Sequence, residues 1–157
     1  MTAEIISTAL ESIRLEIEEK KHLEEAEAPL LKAEETCGHV LAWDPEKGAL
    51  FVRLETEGTD QFERMEGIER VHENDPVQLQ DSGDGSGIAA YSGQRCLGTL
   101  PEKTGSALSL LEKEGLLAVE QAMVYRLIPV SRRGRYAKRA IVFIDLHAVI
   151  KEMKQGE

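Results

Sequence analysis

The side chains best equipped for chemistry sit near the C-terminal end of this 157-residue chain. Between Gln121 and Ile144 there are six basic residues and no acid: Arg126, Arg132, Arg133, Arg135, Lys138 and Arg139, with Tyr136 among them. Arginine pairs bidentately with phosphate, and a tyrosine face can stack on a base. The segment therefore predicts contact with a polyanion. The competing reading is internal. Of the net charge of −10, residues 1–66 carry 7 basic and 17 acidic side chains, whereas residues 67–157 carry 12 of each. An acidic arm of that size competes with any outside anion for the basic segment.

Other constellations lead nowhere sharper. The loop Asp81-Ser82-Gly83-Asp84-Gly85-Ser86-Gly87 lacks the lysine of a phosphate-binding loop, and its two aspartates would repel phosphate. As a calcium loop it would need a bidentate glutamate eleven residues past Asp81, where Ser92 stands. Glycine, serine and aspartate at such a place are ordinary turn formers. Cys37 and His39 share one face of a strand-like run, but zinc needs two further ligands, and no CxxC or HxxxH pair supplies them. His72, Cys96 and His147 would have to converge through tertiary structure. No GxSxG elbow occurs, and the paired acids of the arm lie on what should be a wet helix face. The expectation is a binding protein, not an enzyme, with no metal and no cofactor.

The elements that would position these residues can be read from periodicity. Ile6, Leu10, Ile13 and Ile17 follow heptad spacing on an N-terminal helix, which must cover that stripe with its own body or with a second copy in a homodimer. Pro29 should end the helix, and the following PLLKAEET could begin another. His39–Trp43 and Ala49–Leu54 flank Asp-Pro-Glu-Lys-Gly as a β-hairpin. Gly-Ile-Glu-Arg-Val, at 67–71, reads as a further strand, and Pro-Val-Gln-Leu-Gln alternates as a half-buried one. Two short strands meet through Ser92-Gly93. A helix carrying Ala107, Leu108 and Leu111 stops at Gly115, and two apolar strands enclose the basic turn. Hydrophobic residues make up 41% and charged residues 31%, as in a globular protein, and no run approaches the roughly 18 apolar residues of a membrane span. The acid near the N-terminus argues against a secretion signal, and two distant cysteines argue against a disulfide framework; a cytoplasmic location is expected.

One stretch carries a family pattern. Gly67-Ile68, then Pro76-Val77-Gln78-Leu79, the loop from Asp81 to Ile88, the run Gly93-Gln94-Arg95-Cys96-Leu97-Gly98-Thr99-Leu100-Pro101 and the leucine helix Ala107–Leu117 follow one another in order. This half of the chain resembles the HIRAN domain, a small β-barrel module of fork-remodelling helicases and of bacterial stand-alone proteins. The resemblance implies an α+β protein. An N-terminal helical arm and β-hairpin (1–60) would precede a HIRAN-like small β-barrel with one or two short helices (67–150).

In eukaryotic members the domain binds the 3′ end of single-stranded DNA, using aromatic residues together with an Asn and an Asp in the loop. Here Asp84 keeps the Asp position and Asp81 replaces the Asn. Glu69, Arg70 and Val71 occupy the aromatic positions, so stacking worth about 1–3 kcal/mol per base is missing. The expected contacts to single-stranded nucleic acid or its ends are Asp84, Arg95, Arg126, Arg132, Arg133, Arg135, Tyr136, Lys138 and Arg139. The alternative is a protein–protein adaptor or homo-oligomer acting through Ile6, Leu10, Ile13 and Ile17.

Overall fold

A computed structural model describes residues 2–32, 35, 38–81, 87–133 and 137–151. The chain opens with helix α1, Thr2–Glu27. Ile6, Ala9, Ile13 and Ile17 recur at helical spacing and are buried, while Arg14 pairs with Glu11 and Glu18 on the wet face. The helix gives way to a single 3-10 turn, Ala28–Leu30, because Pro29 has no N–H to donate and its ring obstructs the preceding turn. Among the described residues no α-helix runs on from Pro29, where the sequence predicts a second one. Leu31 is extended, and the Lys32 N–H instead donates to Glu35 Oε1 at 2.9 Å.

The apolar stripe of α1 is covered by the chain itself. Ile13 is 0% and Ile17 2% exposed, with α1 packed along helix α3, Glu102–Lys113. A homodimer seam through Ile6, Leu10, Ile13 and Ile17 would have to strip α1 from that surface. Between the two helices Glu16 bridges directly: its carboxylate accepts the N–H groups of Lys103 and Thr104 at the start of α3.

Among the described residues seven strands form two antiparallel sheets. The larger has the order β1-β2-β7-β6, from Val40–Asp44, Ala49–Glu55, Ile141–Ile150 and Leu117–Ile128. The smaller has the order β3-β4-β5, from Gln78–Asp81, Ile88–Ser92 and Arg95–Thr99. The hairpin β1–β2 is no appendage, since β2 pairs with β7 along seven residues. At its turn Gly48 takes φ +67, and a Cβ there would lie 2.6 Å from the Ile150 carbonyl oxygen.

The sheets meet along two seams, each crossed by one isolated bridge, Glu57 with Thr99 and Pro76 with Met123. The α+β class is as expected, but no closed barrel forms among the described residues. Around Pro76 the N–H groups of Asn74, Val77 and Val124 bond to the carbonyls of Val124, Ala122 and Asp75, but Pro76 itself has no N–H with which to extend them into a regular ladder.

The segment at 67–71 is not a strand. Helix α2, Phe62–Ile68, runs through its start, because Glu63, Arg64, Met65 and Glu66 favour helix and Ile68 alone is buried. Strand β7 is the spine of the fold: Val142, Ile144, Leu146, Ala148 and Ile150 enter the main core. Ile141 and Phe143 join Ile128 in a second cluster against Tyr125. On that side Arg53 binds Asp145 through two bonds, 2.7 and 2.9 Å, and lies 3.4 Å from the Tyr125 ring centroid. Among the described residues no helix is long and apolar enough to cross a membrane.

Candidate functional site

The basic segment is built from the end of β6, a single helical turn α4 (Val130–Arg133) and the start of β7. Its cations are largely engaged. Arg133 Nε meets Glu35 Oε2 at 2.5 Å, with side chains 11% and 4% exposed, and its Nη1 donates to the Arg139 carbonyl at 2.8 Å. Arg139 reaches Glu55 at 3.1 Å and Glu27 at 3.4 Å. Arg126 binds Glu73 at 3.0 Å, and Arg132 donates to the Leu127 carbonyl at 2.8 Å.

The remaining expected contacts are dispersed. Lys138 is exposed and has no carboxylate partner among the described residues. Arg95 is exposed on β5, its stem lying over Gly67 of α2. Asp84, Arg135 and Tyr136 lie outside the described residues, as does Cys37. The expected interface is therefore not one open patch. Glu27, Glu35 and Glu55, from the end of α1, the stretch beyond it and β2, hold its centre.

Where those acids meet the turn, the fold leaves a pocket of about 420 Å³. Its roof is the C-terminal half of α1, tied down by Lys20, whose ammonium sits 2.5 Å from Glu57. Its floor is the end of β2 with residues 56–60, anchored by two buried hydroxyls. Thr56 donates to the Leu97 carbonyl at 2.7 Å, and Thr59 to the Ala140 carbonyl at 2.6 Å. Six carboxylates and three cations line the pocket, so it carries a negative excess. No lysine or arginine among the described residues pairs with Glu24 or Asp60.

His39 is the unusual member. It is 4% exposed and packs edge-on against Phe143, centroids 4.9 Å apart. Neither ring nitrogen has a hydrogen-bond partner among the described residues. Glu24 Oε2 lies 3.6 Å from Nδ1, too far for a bond. Burial, helped by Lys20 and Lys21, pulls the His39 pKa down to about 4, so the imidazole is neutral at pH 7.

The acids respond to the same enclosure. Burial raises Glu24, partly offset by the N–H of Gly38. Burial also raises Glu55, against the pull of Arg139. For Glu35 burial is outweighed by the bonds from Arg133 and the Lys32 N–H, which leave its pKa below the ordinary value.

Comparison with family models, curated proteins and solved structures finds no match to this chain. The site must speak through its own chemistry. Among the described residues it holds no activated hydroxyl or thiol, since Thr56 and Thr59 are bonded to carbonyls and the thiol of Cys96 is not among the lining residues. Among the described residues no three His, Cys, Asp or Glu side chains group as metal ligands. His147 instead packs against Phe51. What the pocket offers is a neutral, buried imidazole and under-neutralised carboxylates around a partly open recess. Sequence reasoning weighed His39 only as a zinc partner for Cys37. The signal available was the charge asymmetry, which marks where arm and turn would meet.

Proposed function

We propose that this chain is a non-catalytic binding module whose ligand site is the pocket between α1, β2 and the β6–β7 turn. One observation carries the reading: His39 is buried at the pocket wall, and neither ring nitrogen has a hydrogen-bond partner among the described residues. A polar group so placed costs roughly 1–3 kcal/mol unless something bonds to it, and native proteins keep few such groups without a use. The pocket also falls within the size range of small-ligand sites. The test is thermal stability of the full chain against a panel of amines, carboxylates, phosphates and neutral polyols. One class should raise Tm, and the rise should vanish in His39→Phe. A panel that leaves Tm unmoved, or a rise that survives the substitution, ends the proposal.

A second reading keeps nucleic acid as the partner but moves the interface. Arg70, Arg95 and Arg132 are exposed and have no carboxylate partner among the described residues. They belong to segments that meet around α2: Gly67 lies under the Arg95 stem, and Ser131 donates to Glu69 at 2.8 Å. This face belongs to the HIRAN-like half of the chain. Binding to a labelled single strand should be detectable at about 50 mM salt and fall steeply as salt rises, and its absence there removes this reading.

A further inference from the structure

Resting on the pocket reading, we propose that the pocket takes an aliphatic ammonium group, seated between the Glu24 carboxylate and the His39 imidazole, with its methylene chain along Leu23 and Leu31. The 3.6 Å between Glu24 Oε2 and His39 Nδ1 is too long for the two to satisfy each other. A tetrahedral ammonium carries three divergent N–H donors, so it can bond at once to a carboxylate and to an imidazole nitrogen, with a small turn of the buried His39 ring bringing that nitrogen to the pocket. An anion would meet the opposite conditions. Among the described residues no lysine or arginine pairs with Glu24 or Asp60, and the Arg139 guanidinium is already shared between Glu55 and Glu27.

Of the other two lining cations, Lys20 is occupied by Glu57 and Lys138 is exposed, so six lining carboxylates face one cation without a carboxylate partner among the described residues. A metal ion would want three or more convergent ligands, which the described residues do not group. The apolar wall accounts for the chain of the ligand. Leu23 is 49% exposed although its neighbours, Lys20, Lys21 and His22 before it and Glu24 and Glu25 after it, are polar, and Leu31 lines the same recess. Methylene groups placed there would cover both.

The same chemistry could arrive as a free diamine or as a lysine side chain of another protein. The full chain, labelled at histidine, is titrated with 1,5-diaminopentane, with Nα-acetyl-lysine amide and with pentanoate, following the His39 ring by NMR. At least one amine should shift the ring, pentanoate should not, and Glu24→Gln should weaken the amine by about tenfold or more, through loss of a charge-assisted bond. Glutamine keeps the shape and removes a charge that burial disfavours, so the variant should fold. A response to the diamine alone assigns a free amine; a response to the acetyl-lysine amide assigns a protein side chain. A ring moved by pentanoate and by neither amine overturns the ammonium assignment while leaving the pocket reading in place. A ring that nothing moves, together with a flat thermal panel, sinks both. Amine binding unaltered by Glu24→Gln also overturns the assignment.

Discussion

Replacing Glu16 with alanine should cost about 3 kcal/mol of folding stability, which is a large part of the roughly 5–15 kcal/mol of a typical domain. Helix α3 begins without local help: Pro101 stands at its N-cap and makes no side-chain cap. Its first free donors are instead accepted by Glu16 from the middle of α1, at 3.0 Å to the Lys103 N–H and 2.7 Å to the Thr104 N–H. The carboxylate is 6% exposed and Thr104 fully buried, so water is a poor substitute. A hydrogen bond to a charged group contributes about 1.5–3 kcal/mol, and the helix N-terminus adds a few tenths to one more. Desolvation of the carboxylate offsets part of that sum. Glu16→Gln keeps the shape but turns an amide NH2 toward one of the two donors, and should lose roughly half as much. Urea unfolding followed by circular dichroism reads both, provided the m value is unchanged. An alanine variant within about 0.5 kcal/mol of the parent would refute the idea that one helix caps the other.

Arg133→Ala strands Glu35 in a buried place and should cost about 3 kcal/mol in the same assay, whereas the double change to leucine at both positions should cost less than the two single changes together. Gly98→Ala should unfold the chain or cost at least about 3 kcal/mol, because φ is +112 and a Cβ would lie 2.5 Å from the Glu57 carbonyl oxygen at the seam between the sheets; normal expression and Tm would contradict it. The folded chain holds His39 near 4 while the unfolded chain titrates near 6.5, so the unfolded state binds the proton first and stability falls as pH drops through that window. At about 1.4 kcal/mol per unit the full loss is roughly 3–4 kcal/mol. Glu24 and Glu55, raised by burial, contribute with the opposite sign, since protonation relieves them. The slope of stability against pH between 4 and 6.5 should therefore flatten or reverse in His39→Leu, and an unchanged slope would count against the buried ring.

Local pattern made much of the fold legible. Ile6, Ile13 and Ile17 mark one stripe of a helix, and Pro29 marks its end, because both effects act within a turn or two of chain. The β1–β2 hairpin and the two long apolar strands were readable for the same reason. What covers the stripe was not, since a heptad seam is as suited to α3 as to a second copy. Ile68 and Val71 looked like a strand because four or five residues are too few to separate a period of two from one helical turn. The charge asymmetry foretold that arm and turn would attract. It could not say which glutamates would be used, because Arg133 and Glu35 are 98 residues apart and meet only through the sheet. The isolation of the His39 ring depends on its closing under α1 and against Phe143, a property of packing alone.

The most direct measurement is the titration of the His39 imidazole by ring-nitrogen NMR in the unliganded full chain. The ring should stay neutral down to a midpoint near 4, set by enclosure at the pocket wall. A midpoint near 6.5 would mean a solvated ring, and one above it would mean a ring already paired with Glu24; either result contradicts a site held open for a ligand.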